Sequence, residues 1–342
     1  MITLGIETSC DETSFSVLEN GNRILSNIVV SSLKEHKEFG GVVPEIASRA
    51  HLETALACLD TSIKKAKIEL KDIDLIAVTQ GPGLMGSLLV GLAAAKALSY
   101  SLERPMVGVD HVIAHVWAGF LSDPMLCFPC LGLIISGGHT MIVRMDSPSR
   151  FRVLGRTIDD AAGEAFDKVA KILGLGYPGG PEIDRLSRGQ EPNQFFFTRP
   201  FLSKDSLNFS FSGIKTAVFY EVERLKKKRA LTLKVKKGIC AGFQEAVCDV
   251  LVKKSVRAAK DENLKSIVVG GGVSANSRLR QKLKGAAEAE GIKVVFPTME
   301  LCQDNAAMIA GLGTALYLEG KRDSLDLSSY SDFGHYEVVG KG

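Results

Sequence analysis

The chain predicts an α/β fold built twice over. Two observations carry this. Apolar periodicity switches repeatedly between the two-residue repeat of strands and the 3.6-residue repeat of helices, and the pattern that opens the chain begins again near residue 131. A third observation agrees: 342 residues exceed one ordinary core and suit two lobes of roughly 100–200 residues each. Two such lobes would leave a cleft, where ligands usually sit.

In order, ITLGIET at 2–8, the turn SCDE at 9–12 and TSFSVLE at 13–19 read as strand, tight turn, strand, with a third strand at RILSNIVVS. Residues 44–67 follow as a helix, with Pro44 suited to its first turn. DLIAVTQ is a strand, Gly81-Pro82-Gly83 a break, and residues 84–102 a second helix. PMVGVD is a short strand leading into a helix that holds two histidines.

The second half repeats the theme. LGLIISGGHTMIVRM is strand, small-residue turn, strand. After intervening helices, residues 266–291 give a strand, a glycine turn and an amphipathic helix, KVVFPT another strand, and residues 304–320 a closing helix. The expected division is a lobe of 1–126 plus 319–342 and a second of 127–318.

Composition excludes several classes. Hydrophobic content of 45% with 24% charged residues is that of a globular enzyme. No apolar run reaches the roughly 18 residues of a membrane span, and no basic, apolar leader precedes the first strand, so a cytoplasmic location is expected. Seven scattered cysteines, an odd count, argue against a secreted disulfide framework. Cys127 and Cys130 form a C-x-x-C, but it runs into a strand, whereas redox pairs usually open a helix. The net charge of +3 decides nothing about nucleic acid. The stretch from Arg224 to Lys237 carries eight cations and no acid, which a solvated helix face explains and which is compatible with an RNA partner.

Three glycine-rich turns are expected to follow strands: 136–140 (SGGHT), 270–274 (GGGVS, with Ser274 a possible N-cap) and 177–181 (YPGGP). Glycine lets backbone approach a ligand, and bare N–H groups at a helix start attract phosphate. None is a Walker A loop or G-x-G-x-x-G, but three together point to a nucleotide-like ligand. Asp159, Asp160, Glu164 and Asp167 cluster nearby, with 160, 164 and 167 on one helical face, and Asp184 follows Gly180 by four residues. Carboxylates accept from ribose hydroxyls; the helix dipole also explains Asp159 and Asp160.

His111 and His115 stand four apart, so in a helix both imidazoles leave one face, about 6 Å along the axis. This is a two-histidine metal spacing. It resembles the zinc-protease HExxH, but Val112 replaces the glutamate that would activate water. Asp304, at the expected start of the closing helix, is either an N-cap or the third ligand of a 2-His-1-carboxylate set with open positions. Ser9, Cys10, Asp11 and Glu12 lie in the first hairpin turn and could face the same cleft.

Together these residues resemble the bacterial tRNA threonylcarbamoyladenosine synthase family (TsaD), formerly described as O-sialoglycoprotein endopeptidases, over essentially the whole chain. The marks are GIETSCDETS at 5–14, GGVVPEIASRAHLE at 40–53, GPGLMGSLLVG at 81–91 and HVIAH at 111–115. They continue with SGGHT at 136–140, GEAFDKVAKILGLGYPGGPEID at 163–184, FSFSGIKTA at 209–217, GGGVSANSRLR at 270–280 and DNAAMIA at 304–310.

The resemblance implies a two-lobed, duplicated fold similar to the acetate/sugar kinase–Hsp70–actin (ASKHA) group. It implies transfer of threonylcarbamoyl from threonylcarbamoyl-AMP to N6 of adenosine 37 in tRNAs reading ANN codons. It places a metal, Fe²⁺ or Zn²⁺, on His111, His115 and Asp304. Ligand contacts fall on Ile134, Ile135, Ser136, Gly137, Gly138, Asp167, Gly180, Asp184 and Asn276. In archaeal and eukaryotic relatives a tyrosine near the SGG turn also binds the metal; Ile134 stands in that region here, so a more open site is expected. Asp11 or Glu12 is a candidate proton acceptor. The implied partners are tRNA, a TsaB-like paralogue and a TsaE-like ATPase, with no membrane.

Three rival readings remain. A metalloprotease lacks its glutamate after His111. A small-molecule kinase would call for a Mg²⁺ site of carboxylates and water, unlike a His-His-Asp set. A catalytically silent nucleotide-binding scaffold would have no use for the histidine pair.

Overall fold

The computed structural model describes residues 1–201 and 206–332. The chain forms two compact units. The first comprises Met1–Leu126, Ser147–Arg150 and the described residues from Pro297 onward; the second comprises Cys127–Asp146 and Phe151–Phe296.

In the first unit β1 (Ile2–Glu7), β2 (Glu12–Glu19) and β3 (Arg23–Ser31) form an antiparallel meander. A one-turn helix, α1 (Leu33–His36), precedes α2 (Pro44–Ala66), which has Pro44 in its first turn as expected. Next come β4 (Leu75–Gly81), α3 (Met85–Leu102), β5 (Met106–Asp110) and α4 (His111–Ser122). The sheet order is β3-β2-β1-β4-β5, with β4 parallel to β1 and β5 parallel to β4. Leu4, Ile6, Phe15, Val17, Ile76 and Val78 form its apolar core.

The second unit runs β6 (Cys130–Ile135), β7 (Thr140–Met145), β8 (Phe151–Arg156), α5 (Ala162–Ile172), α6 (Gly179–Ser187), α7 (Ser212–Lys227), α8 (Leu233–Asp261), β9 (Ser266–Gly270), α9 (Ser277–Glu288) and β10 (Lys293–Val295). Its sheet order, β10-β9-β6-β7-β8, repeats the first: an antiparallel meander, then two parallel strands on the far side of its first strand. The expected duplication is therefore present strand for strand. Helix α8 is buried along most of its length in a separate apolar core that includes Phe166 and Phe211.

The last helix, α10 (Ala306–Leu318), belongs to the first unit, whereas the sequence predicts a boundary at 318. It packs on β1, β4 and α4. The reason is steric. Three glycines remove side chains where it touches: a Cβ at Gly5 would lie 2.2 Å from the Ala306 carbonyl oxygen, at Gly311 2.6 Å from Trp117, and at Gly313 2.4 Å from the Ala77 Cβ. Of the predicted tail 319–342, residues 333–342 lie outside the described residues.

Helix α3 also departs from expectation. Its 18 residues have a mean hydropathy of 1.3, so by length and composition it could cross a membrane. It carries Lys96 and packs against β4 and α2.

Candidate functional site

The histidine stretch is helical. Asp110 ends β5 and accepts from the Ile113 N–H at 2.9 Å, so α4 starts at His111. Both imidazoles are buried, with centroids 4.8 Å apart. Asp304 reaches them from the segment before α10. It does not cap that helix: Asn305 does, accepting from the Met308 N–H, which leaves the Asp304 carboxylate available to the histidines. Asp304 Oδ1 lies 3.1 Å from His115 Nε2 and 3.7 Å from His111 Nε2.

This set fits a metal ion. Ligand atoms 2.0–2.2 Å from a tetrahedral ion stand about 3.3 Å from one another, and 3.1 and 3.7 Å bracket that edge. One potential ligand atom from each of the three residues lies within 4.8 Å of the others. Among the described residues neither ring nitrogen of buried His115 has a hydrogen-bond partner, a costly arrangement that coordination of Nε2 would relieve in part. Three protein ligands leave positions for substrate or water.

Behind His111 sits a residue the sequence reading missed. Glu7, at the end of β1 and fully buried, has Oε2 2.9 Å from His111 Nδ1. It also accepts from the Ser9 N–H at 2.5 Å and the Thr79 hydroxyl at 2.7 Å. Burial pushes the Glu7 carboxyl up, but the imidazole beside it outweighs this and holds it below the usual range. Burial likewise disfavours charge on His111, yet Glu7 and Asp304 lift it to about 9 in the absence of a metal. An acid closing the otherwise apolar strand ITLGIE was the available signal.

Asp11 and Glu12 do occupy the first hairpin turn, Glu12 opening β2. Glu12 accepts from the Ser31 hydroxyl at 3.3 Å. Burial, then the charges of Asp304 and Asp11, push its carboxyl well above the usual range. Neighbouring Cys10 is raised by burial first and Asp304 next. The hairpin turn and Asp304 therefore influence one another electrostatically.

The second unit gathers the glycine turns. The 136–140 turn links β6 to β7, and 271–276 links β9 to α9, as expected. The 177–181 turn follows α5, not a strand, and opens α6. Close approaches tie them together. Gly163 of α5 donates to the Ser136 carbonyl, and a Cβ there would lie 2.5 Å from that oxygen. Gly271, at φ +87°, fits beneath the Ile135 carbonyl. Asp167 accepts from the Gly179 N–H at 2.7 Å. Asp184 accepts from the Ser277 N–H and hydroxyl.

The predicted ligand contacts divide on this geometry. Gly137, Gly138 and Gly180 have open space where a Cβ would stand. The Ser136 N–H is already used by the His139 carbonyl, so among 136–138 the glycines are the better donors. Burial pushes the Asp167 carboxyl up despite the N–H groups of Gly179 and Gly180. Ile134 and Ile135 are fully buried in β6 and paired in its ladder. Asn276, rather than Ser274, caps α9: its Oδ1 accepts from the Leu279 N–H and its amide donates to Gln244. Asp160 lies before α5, not on its face with Glu164 and Asp167, and pairs with Lys168 and Lys215. Asp159 accepts from the N–H groups of Phe211 and Ser212 at the start of α7.

All seven cysteines are free. Burial pushes the Cys130 thiol up to about 12, the opposite of a reactive thiolate.

A sequence model of the family described as tRNA N6-adenosine threonylcarbamoyltransferase (TsaD) matches residues 23–311. A protein of that name from Thermosipho africanus is 53% identical over 94% of this chain and 96% of its own. Another, from Dictyoglomus turgidum, is 51% identical over 97% and 98%. Among solved structures, full-length HypF in a phosphate- and nucleotide-bound form aligns with a TM-score of 0.61 at 14% identity, over 96% of this chain and 47% of that one. That likeness bears on the fold, which is of the ASKHA type. The chain belongs to the tRNA N6-adenosine threonylcarbamoyltransferase family.

Proposed function

We propose that this transferase moves the threonylcarbamoyl group from threonylcarbamoyl-AMP to N6 of adenosine 37 in tRNAs reading ANN codons and releases AMP. The observation that carries the site reading is the convergence of His111, His115 and Asp304 in one unit. A divalent ion, Fe²⁺ or Zn²⁺, held there would supply Lewis acidity toward the phosphate or the acyl carbonyl.

The chain's own residues supply the rest. The unobstructed glycines at 137, 138 and 180 admit the nucleotide phosphate to bare backbone, as nucleotide loops do. The Gly137 and Gly138 N–H groups would stabilise developing negative charge. Asp167 is the acceptor for a ribose hydroxyl, while Asp184 and Asn276 hold the start of α9 in place. The N6 amine must lose a proton as its C–N bond forms and AMP departs. Glu12, whose carboxyl is raised by burial and by Asp304, is the better proton acceptor of the hairpin pair, with Asp11 beside it. Proteolysis is disfavoured: the carboxylate nearest the pair, Glu7, lies on the Nδ1 side of His111 and is fully buried among donors.

The reading includes partners. Leu52 and Leu56 on α2 and Leu89 on α3 are 67%, 79% and 53% exposed on two helices packed together, an apolar face suited to a TsaB-like paralogue. A TsaE-like ATPase and a cytoplasmic location follow from the family resemblance. The test is to incubate the metal-loaded chain with labelled threonylcarbamoyl-AMP, tRNA and these partners. Mass spectrometry should find threonylcarbamoylated adenosine; its absence under those conditions overturns the reading.

A further inference from the structure

The proposed metal reading leaves one buried acid unexplained. Glu7 is fully buried, and a carboxylate in such a place must be fully bonded or protonated. Its bonds are directional. Oε1 accepts from the Ser9 N–H at 2.5 Å. Oε2 accepts from the Thr79 hydroxyl at 2.7 Å and faces His111 Nδ1 at 2.9 Å. The Ser9 hydroxyl is also near Nδ1, at 3.1 Å. The far nitrogen of the same ring, Nε2, points at Asp304.

An imidazole can coordinate through Nε2 only when its proton sits on Nδ1. Against an ionised carboxylate, which only accepts, Nδ1 must donate. We infer that Glu7 is a positioning residue that fixes the tautomer of His111, holding its proton on Nδ1 and turning the Nε2 lone pair toward Asp304 and His115. The inference rests on the metal reading above and adds a residue to it. Among the described residues His115 has no such partner, since neither of its ring nitrogens is hydrogen-bonded, so the pair is held asymmetrically and His111 is the preset ligand.

Glu7→Gln is the direct probe. With the amide oxygen kept on the Ser9 N–H, the NH2 group faces Nδ1 and drives the proton to Nε2. Zn²⁺ or Co²⁺ titrated into the purified chain should bind about 10–100-fold more weakly to the variant, the cost usual for such outer partners. Nitrogen NMR of the His111 ring gives a second readout that needs no variant: in the Zn²⁺-loaded wild-type chain, Nδ1 should carry the proton. Equal affinity of Glu7→Gln and wild type, or an unprotonated Nδ1 in the loaded wild type, overturns the inference. Failure of the wild-type chain to bind either ion at His111 and His115 would instead overturn the metal reading itself.

Discussion

Gly5 lies directly beneath the carbonyl of Ala306, so close that a Cβ on it would stand 2.2 Å from that oxygen and 2.9 Å from the Ala310 Cβ. This close approach joins β1 to the first turn of α10, two residues beyond Asp304. Gly5→Ala must push the helix outward and carry Asp304 away from the histidines. Overpacking of this kind costs about 1–3 kcal/mol, read as a lower unfolding midpoint, with weaker Zn²⁺ binding in calorimetry. Gly41→Ala, where a Cβ meets nothing within 4 Å, should leave both unchanged.

Asp304→Asn keeps the size of the side chain and removes its charge. Asparagine is a poor ligand for a transition metal beside two imidazoles. Zn²⁺ affinity should fall by at least about 10-fold, the scale on which disturbing a ligand or its partner acts, while circular dichroism of the metal-free chain stays as in wild type. An unchanged affinity would show that the carboxylate does not coordinate.

Ion binding should also depend on pH in a defined direction. In the metal-free protein burial disfavours the charged His111 ring, but Glu7 and Asp304 prevail and raise it to about 9. Below that value an incoming ion must displace the Nε2 proton. Apparent Zn²⁺ affinity should therefore climb with pH until about 9 and then level, with proton release seen in buffers of differing ionisation enthalpy. An affinity flat from about pH 6.5 to 9 would contradict the pairing.

What the sequence made legible follows its periodicity. The meander at 2–31, the helix at 44–67 and the restart near 131 appear because alternation and small-residue turns are local signals. The fate of α10 was not legible, because its place depends on glycines at 5, 311 and 313 meeting partners far along the chain. His111 and His115 were visible as a pair four apart, whereas Glu7 was hidden by standing at the end of an apolar strand without a spacing rule. The turn at 177–181 read as a strand end because glycine and proline mark loops without revealing which elements they join. Asp304 taken alone read better as a cap because its neighbour Asn305, the actual cap, belongs to the same residue class.

Glu245 on α8 should govern acid stability of the second unit. Burial would raise its carboxyl, but bonds from Arg278 at 2.7 and 3.0 Å, together with Lys282, outweigh burial and hold it below the usual value. A depressed folded-state pKa contributes stability that is present above the unfolded value, about 4.3, and lost as pH falls through the lower folded value. Glu245→Gln should cost about 1–3 kcal/mol at neutral pH and progressively less below about pH 4. Denaturant titrations at neutral pH and at about pH 3 check both halves; an equal cost at the two values would refute the assignment.

The basic tip between α7 and α8 offers a test of RNA binding. Glu221 and Glu223 engage Arg224 and Lys226, and Lys236 donates to the Leu173 carbonyl. Lys227, Lys228 and Lys234 are exposed and form no ion pair among the described residues. Exposed cations at the end of α7 and the start of α8 are suited to phosphates, and removing a lysine that neutralises one phosphate should flatten the dependence of log K on log salt by about 0.7–0.9. A triple replacement, Lys227→Glu, Lys228→Glu and Lys234→Glu, should weaken tRNA binding at low salt, flatten that slope by about 2, and raise KM for tRNA while leaving kcat unaltered. These positions lie on an exposed helix end and turn, so folding should be preserved. If the variant keeps the wild-type slope and KM, the tip is a solvated face, and the tRNA phosphates are met elsewhere on the chain.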